Sequence, residues 1–343
     1  MTVHVGLIGA GNISGTHARA ASAIPDVRIA AVHAPTREHA ERLAAAHGAV
    51  AYDTLDAFLD HKPMDLVAIG SPSGLHGEHG IAAARRGLHV LVEKPLEITA
   101  ARADALIAEA ARAGVMLAVM FQDRLKPDIV RLNALVGAGQ LGRPILGTAR
   151  VKWHRADAYY RESRWRGTKA LDGGGALINQ AIHTVDLLLW CFGPVRRVFG
   201  RTATSVHAIE AEDTAVAVLE FNNGALASIE ATTAAFPGYA RRLELTGSEG
   251  TAMLDGDQLV SVDMRSGAGQ IATASGPAPA AVSAASPVVA DASAHQRVFE
   301  DFIRAITRGS RPACDGVSGR VSVAVIEAIY RSSASGMPEE IPA

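Results

Sequence analysis

The sequence predicts a doubly wound α/β domain followed by an α+β domain with an open, mostly antiparallel sheet. Three observations carry this. Strand-like and helix-like stretches alternate through the first third, and a glycine-rich turn joins the first strand to the first helix. From Arg196 to Met264 the apolar period is mostly two, with no helix between the strands. A chain of 343 residues can bury two cores. We place the first domain at 1–122 and the second at 123–343, with closing helices at about 293–333 included in the second.

Val3–Ile8 is a short apolar run and reads as a buried strand. Gly9-Ala-Gly-Asn-Ile-Ser14 follows, then a helical pattern from Gly15 to about Ile24. Strand, glycine turn and helix together form the dinucleotide fingerprint of a Rossmann domain. Gly9 makes the turn, Gly11 admits a pyrophosphate, and the N–H groups of Asn12 and Ile13 meet its charge. Ser14 holds the third glycine position, so looser helix–strand packing is expected there. Further strands at Val27–His33, Asp65–Gly70, His89–Glu93 and Val115–Met120 alternate with helices at Thr36–His47, Gly74–Arg86 and Thr99–Ala113. This order gives a parallel sheet, which binds its ligand at the carboxyl ends of the strands. Cofactor contacts are therefore expected at Ser71, Pro72, His76, Glu93 and Lys94.

The end of the second strand bears on cofactor choice. NAD sites usually place a carboxylate there for the ribose hydroxyls, but this chain has Ala34, with Arg37 at the start of the next helix. NAD(P) is the expected cofactor and NADP is favoured, unless Arg37 is simply solvated. Lys94 closes a buried strand, and Pro95 restricts its backbone to extended conformations. By position it is a phosphate contact, a catalytic group or a solvated side chain.

Phe121-Gln-Asp-Arg124 ends the first domain, and Leu125–Val136 reads as a connecting helix. Strand Ile145–Lys152 leads into a polar stretch, Trp153–Lys169. Between Arg150 and Lys169 lie seven basic residues against Asp157 and Glu162, with Trp153, Tyr159, Tyr160 and Trp165 among them. Rings that stack and guanidinium forks that grip phosphate or carboxylate suit an anionic small ligand. The alternatives are a solvated loop and a subunit contact. Arg124, Trp165 and Arg166 are taken as substrate contacts.

Asp172–Asp186 holds the densest chemistry. Its second half reads as a helix apolar nearly all round, and so buried. Yet Asn179, His183 and Asp186 stand at i, i+4 and i+7 on one face. An unpaired buried polar group costs about 1–3 kcal/mol, so this face is hydrogen-bonded or lines a cavity. Gly173–Gly175, just before it, are read as letting a ligand approach free N–H groups. A histidine merely satisfied in the core is the competing reading.

Beyond it, Asp213–Phe221 and Ala225–Thr232 flank the hairpin signal Asn222-Asn223-Gly224. Arg241–Gly247, Thr251–Leu254 and Gln258–Met264 continue the sheet. The Ala-, Ser-, Pro- and Gly-rich stretch 267–294 reads as a long surface loop, and Ser293–Arg308 and Ser318–Ser333 as closing helices.

Composition narrows the function. A net charge of −2, with 48% hydrophobic and 20% charged residues, argues against a nucleic-acid or anionic-membrane surface. Two cysteines without metal spacing exclude a disulfide framework and a structural zinc site, and no metal is expected. Without a leader pattern or a spanning apolar run, the expected location is the cytoplasm.

The chain resembles the Gfo/Idh/MocA family of oxidoreductases. The likeness rests on Gly9-Ala-Gly-Asn-Ile-Ser-Gly-Thr-His17, Ser71-Pro-Ser-Gly-Leu-His76, Glu93-Lys-Pro95 and Gly173-Gly-Gly-Ala-Leu-Ile-Asn-Gln-Ala-Ile-His-Thr-Val-Asp186. It implies a Rossmann domain, an α+β domain with an open sheet, and a sugar, polyol or nucleotide-linked sugar as substrate. It also implies that relatives form dimers or tetramers through that sheet. In many members the lysine matched by Lys94 works with an aspartate and a histidine four residues apart. His183 matches the histidine, whereas Asn179 stands where the aspartate would be and cannot carry a proton. Catalysis is then expected from Lys94 and His183, with Asn179 positioning. Asn179-Gln180 also resembles the branch acting on N-acetylated, nucleotide-linked uronic acids. A cofactor-binding sensor without turnover is the alternative function.

Overall fold

The computed structural model describes residues 2–267 and 291–342. The chain divides into two compact units. The first runs to Leu125 and takes up the chain again as far as Arg320; the second starts at Lys126 and resumes at Val321. Most of the stretch 267–294 lies outside the described residues.

The first unit is built on six parallel strands: β1 (Val3–Ile8), β2 (Val27–His33), β3 (Val50–Tyr52), β4 (Leu66–Ile69), β5 (His89–Glu93) and β6 (Leu117–Met120), in the order β3-β2-β1-β4-β5-β6. The order reverses between β1 and β4, and the crevice of a doubly wound sheet opens there. Every residue of β4 and β6 is buried, as strands covered on both faces should be. β3 and the short helix Leu55–Leu59 escape a reading by periodicity because neither is long enough to show one.

The helix Ser293–Arg308 belongs to this unit rather than to the second, a departure from the expected boundary. Its stripe Val298, Phe299 and Phe302 enters the same core as Leu7, Val32 and Leu91. The ring of Phe299 meets that of His17, on the helix Asn12–Ser22, at 5.9 Å. Helical spacing reveals that such a stripe is buried but does not say against which sheet.

The second unit holds eight strands: β7 (Pro144–Lys152), β8 (Val195–Ala203), β9 (Thr214–Phe221), β10 (Leu226–Thr232), β11 (Arg242–Gly247), β12 (Gly250–Asp255), β13 (Gln258–Met264) and β14 (Glu339–Glu340). Their order is β13-β12-β11-β7-β10-β9-β8-β14, antiparallel except for the β7–β10 pair. The β9–β10 hairpin turns at Gly224 with φ +84°. The helix Ile182–Phe192 lies close on β7. A Cβ at Gly147 would stand 2.7 Å from Leu188 and 3.0 Å from Phe192. The other sheet face leaves Leu146, Phe199, Val216, Val218 and Leu226 exposed. Leu146 and Leu226 are register partners, as are Phe199 and Val218.

Candidate active site

The glycine turn after β1 is shaped as a cradle. Gly9 has φ +107° and donates its N–H to the His33 carbonyl at 2.8 Å. Any side chain there would strike the Gly70 carbonyl. Gly11 differs: a Cβ on it would meet nothing of the protein within 4 Å. It starts the helix Asn12–Ser22, whose N-terminus no side chain caps. A helix start left open in this way suits a pyrophosphate. Ser14 is 1% exposed, and its Oγ stands 2.8 Å from where a Gly70 Cβ would be. Gly70 therefore supplies room for the side chain that stands where the third glycine would be.

Ala34 is buried, and Arg37 is exposed, pairing with Glu41 at 2.8 Å and Asp53 at 3.6 Å. At the end of β4, Ser71 and Pro72 are half-buried, and the Ser71 Oγ lies 2.9 Å from Nδ1 of His79. Burial, aided by the neighbouring His76 and His33, lowers the His79 imidazole to about 4. The ring of His76 is buried among backbone carbonyls rather than at a ligand surface.

At the end of β5, Lys94 is half-buried between buried Glu93 and Pro95. Glu93, taken from the sequence as a cofactor contact, faces inward. Its Oε1 lies 3.0 Å from Nε2 of His17 and 3.7 Å from Nε2 of His295, and its Oε2 accepts the N–H of Lys94 at 3.0 Å. Burial pushes the Glu93 carboxyl up. The His17 hydrogen bond and the charges of His17, His295 and Lys94 outweigh this and hold it at about 2. Donor atoms of His17, Glu93 and His295 fall within 4.8 Å of one another. However, Nδ1 of His17 lacks the hydrogen bond that normally orients a metal-bound imidazole. These residues serve as an anchor for the strand end. Arg124 is 4% exposed and donates to Ser318 at 2.7 Å, so its guanidinium is engaged inside the first unit, not on the substrate surface expected of it.

In the second unit the polar helix is not α-helical throughout. Ala176–Ala181 is π-helical and passes into the α-helix Ile182–Phe192. Asn179 and His183 are half-buried, while every other residue from Gly174 to Leu189 is buried. Asp186 leaves this stripe: it is 1% exposed and accepts from Ser322 at 3.0 Å. The expected three-residue face is thus exposed only as a pair: Asp186 follows His183 by three residues of regular α-helix, and Ser322 covers it.

Two of the three glycines before it, Gly174 and Gly175, pack against the protein itself rather than leaving room for a ligand. Glu212 occupies the helix start, accepting from the N–H groups of Gly175 at 3.0 Å and Leu177 at 2.8 Å, and from Tyr330 at 2.9 Å. A Cβ on Gly174 would stand 2.1 Å from the Tyr330 hydroxyl, and one on Gly175 would stand 2.0 Å from the Glu212 carbonyl. Burial raises the Glu212 carboxyl against these donors. Burial also drives the Tyr330 phenol well up, with the Glu212 charge adding to it.

A hydrogen-bonded chain links the pair to the basic aromatic stretch. Asn179 donates to Asp172 and accepts from Gln180 at 2.9 Å. Gln180 donates to the Tyr159 hydroxyl at 2.9 Å and accepts from Arg155 at 2.7 Å. Arg155 lies over Trp153 and Tyr159, while Arg166 lies 4.2 Å over the Tyr159 ring and 5.7 Å from the Trp165 ring. Arg161, Arg164 and Lys169 are exposed. The stretch therefore does not act as one basic surface. Gln180, Arg155, Tyr159, Glu212 and Tyr330 were not among the site residues read from the sequence. The free N–H groups expected after the glycine run did signal a missing acceptor, but not that Glu212 would fill it.

The dinucleotide cradle is that of an NAD-binding oxidoreductase. The sequence matches the oxidoreductase-family NAD-binding Rossmann fold over residues 3–121 and the GFO/IDH/MocA C-terminal domain over 129–253. The chain belongs to the GFO/IDH/MocA family. It is 30% identical to myo-inositol 2-dehydrogenase of Thermotoga maritima, over 74% of this chain and 75% of the relative. It is 27% identical to inositol 2-dehydrogenase of Rhizobium meliloti, over 97% and 98%. Among solved structures, the WlbA dehydrogenase of Bordetella pertussis in complex with NADH and UDP-GlcNAcA is 31% identical, with a TM-score of 0.89, covering 100% of this chain and 98% of that one.

Proposed function

We propose that this oxidoreductase moves a hydride between NAD(P) and a secondary carbinol of an anionic sugar, with nucleotide-linked uronic acids the first class to test. One observation carries the reading. On a helix otherwise buried, Asn179 and His183 alone remain half-exposed from Gly174 to Leu189, and hydrogen bonds tie Asn179 to the Arg155–Tyr159–Arg166 group. The UDP-GlcNAcA bound by the Bordetella relative supports the substrate class.

In this reading the bound nicotinamide supplies the hydride acceptor. His183 takes the hydroxyl proton, as a histidine can near neutral pH. Lys94 stabilises the negative charge developing on oxygen. Asn179, its amide oriented by Asp172 and Gln180, holds the substrate hydroxyl or the nicotinamide carboxamide. Arg166 and Trp165 meet the anionic end. Gly9, Gly11, Asn12 and Ile13 take the pyrophosphate, with Ser71 and Pro72 along its edge. No carboxylate stands at Ala34, and Arg37 is held only by exposed partners, which supports NADP binding at least as well as NAD.

We place the enzyme in the cytoplasm. No disulfide joins its two cysteines, and no helix among the described residues is long and apolar enough to cross a membrane. The exposed apolar strip Leu146, Leu226, Val218 and Phe199 supports a homodimer or homotetramer. The test is nicotinamide absorbance and thermal shift with NAD and NADP against UDP-N-acetylglucosaminuronate, myo-inositol and free uronic acids. Turnover of the uronates supports the reading. Turnover of myo-inositol alone would refute the anionic class, and cofactor binding without turnover of any sugar would favour a sensor.

A further inference from the structure

The Lys94–Pro95 pair at the strand end is held by a buried side chain at each residue. On one side Glu93 Oε2 accepts the Lys94 N–H at 3.0 Å, and Glu93 is itself held by His17. On the other, Nδ1 of His76 lies 2.8 Å from the carbonyl oxygen of Pro95, while Nε2 of the same ring lies 3.0 Å from that of Ser71. The ring is 1% exposed. Ser71 follows β4 and Pro95 follows β5, which are neighbours paired through Ile69 and Val92.

We propose that His76 is a positioning residue for Lys94: its Nδ1–H, given to the Pro95 carbonyl, sets the direction in which the lysine leaves the strand end. This rests on the role given to Lys94 under the proposed function.

A carbonyl oxygen only accepts, and a neutral imidazole has a single N–H. Burial pushes the His76 ring towards its neutral form, against the pull of the two carbonyls. The ring therefore donates to one oxygen at a time, and the proposal assigns that proton to Nδ1. The two loops are also joined elsewhere. Glu97 is fully buried and accepts from the N–H of Gly77 at 3.0 Å and from Arg102 at 2.7 Å. Arg102 in turn donates to the Gly74 carbonyl. Removing the His76 ring thus leaves a second tie in place, and the lysine's direction can change without the loops coming apart.

The two ring nitrogens can be replaced separately, since the amide nitrogen of asparagine falls near Nδ1 and that of glutamine near Nε2. The experiment is trace acetylation of the native protein, with peptide mass spectrometry comparing Lys94 with Lys62, Lys126, Lys152 and Lys169 as internal references. His76→Leu should raise the relative reactivity of Lys94 by about threefold or more, as expected when one ordering hydrogen bond is lost. His76→Asn should restore it to near wild type, and His76→Gln should not. Unchanged Lys94 reactivity in His76→Leu would overturn the proposal. So would rescue by glutamine in place of asparagine, or a rise shared by all five lysines. If His76→Leu does not fold, as judged by melting, the asparagine–glutamine pair decides alone. Because the amine itself is read, the result is independent of turnover. A Lys94→Ala variant with normal turnover would remove the catalytic role and leave the clamp standing.

Discussion

Asp172 accepts a hydrogen bond from the side-chain amide of Asn179, and its other oxygen takes the backbone N–H of Gly167 at 2.8 Å. An aspartate in place of Asn179 would set two carboxylates face to face, and one of them would have its pKa raised. A carboxyl raised in the folded state contributes stability below its unfolded pKa and loses it as pH climbs through the folded value. Asn179→Asp should therefore match wild type in urea unfolding near pH 4 and fall behind by about 1–3 kcal/mol towards pH 8. A gap that stays constant with pH would contradict this arrangement.

Glycine substitutions should separate the two glycine runs. Gly175→Ala would drive a methyl into the Glu212 carbonyl and should cost more than about 2 kcal/mol. Gly11→Ala meets no protein atom and should stay within about 0.5 kcal/mol. Gly11→Val should still fold, yet calorimetry should show that it no longer binds NAD(P). Unchanged affinity in that variant would mean the cradle is not the pyrophosphate site.

Arg37 controls the choice of cofactor in the proposed reading. Its partners Glu41 and Asp53 are both exposed, and pairs of this kind are weak enough to yield to a 2′-phosphate. Arg37→Ala should weaken NADP by about tenfold and leave NAD unchanged. Equal loss of both cofactors would place Arg37 elsewhere, and wild-type NAD binding more than tenfold tighter than NADP would reverse the preference.

Arg166 and Arg164 look alike in sequence and differ in place. Arg166 is half-buried, stacked on Tyr159 and bonded to its carbonyl at 3.2 Å, whereas Arg164 is exposed. With UDP-N-acetylglucosaminuronate, Arg166→Ala should raise KM by about tenfold or more, and Arg164→Ala by less than about threefold. Equal kinetics in both variants would assign the stretch to structure.

The alternating half of the fold was legible because β1, β2 and β5 are short apolar runs bounded by turn residues, and their observed limits coincide with those read from the sequence. The half-buried placing of Lys94 and His183 among buried neighbours was legible because a polar residue among apolar ones needs a reason. What the sequence hid was partnership. Nothing in the helical stripe of Ser293–Arg308 shows which unit it covers. Nothing in Gly173–Gly175 shows that Glu212 and Tyr330, 37 or more residues away, occupy the space a ligand was expected to fill. Nor does the spacing of the stripe show that Ser322, 136 residues away, closes over Asp186.

The catalytic assignment makes the strongest demand. Oxidation of a carbinol releases its hydroxyl proton as the hydride leaves, and a base within about 2.6–3.2 Å must accept it. His183 is the half-exposed titratable group on the polar stripe, since Asp186 is turned inward to Ser322 and Asn179 exchanges no proton. A charged lysine, the role proposed for Lys94, lowers the cost of an alkoxide, more so where water is excluded. His183→Ala and Lys94→Ala should each lower kcat by about 10²–10⁴-fold while NAD(P) affinity changes little. Asn179→Ala should act mainly on KM, since it removes positioning and no proton. The double variant Lys94→Ala with His183→Ala should lose far less than the product of the single losses, because the two groups serve one transition state. Turnover within a few-fold of wild type in both single variants would remove both residues from the chemistry. Full multiplicativity in the double variant would show that they act on separate steps.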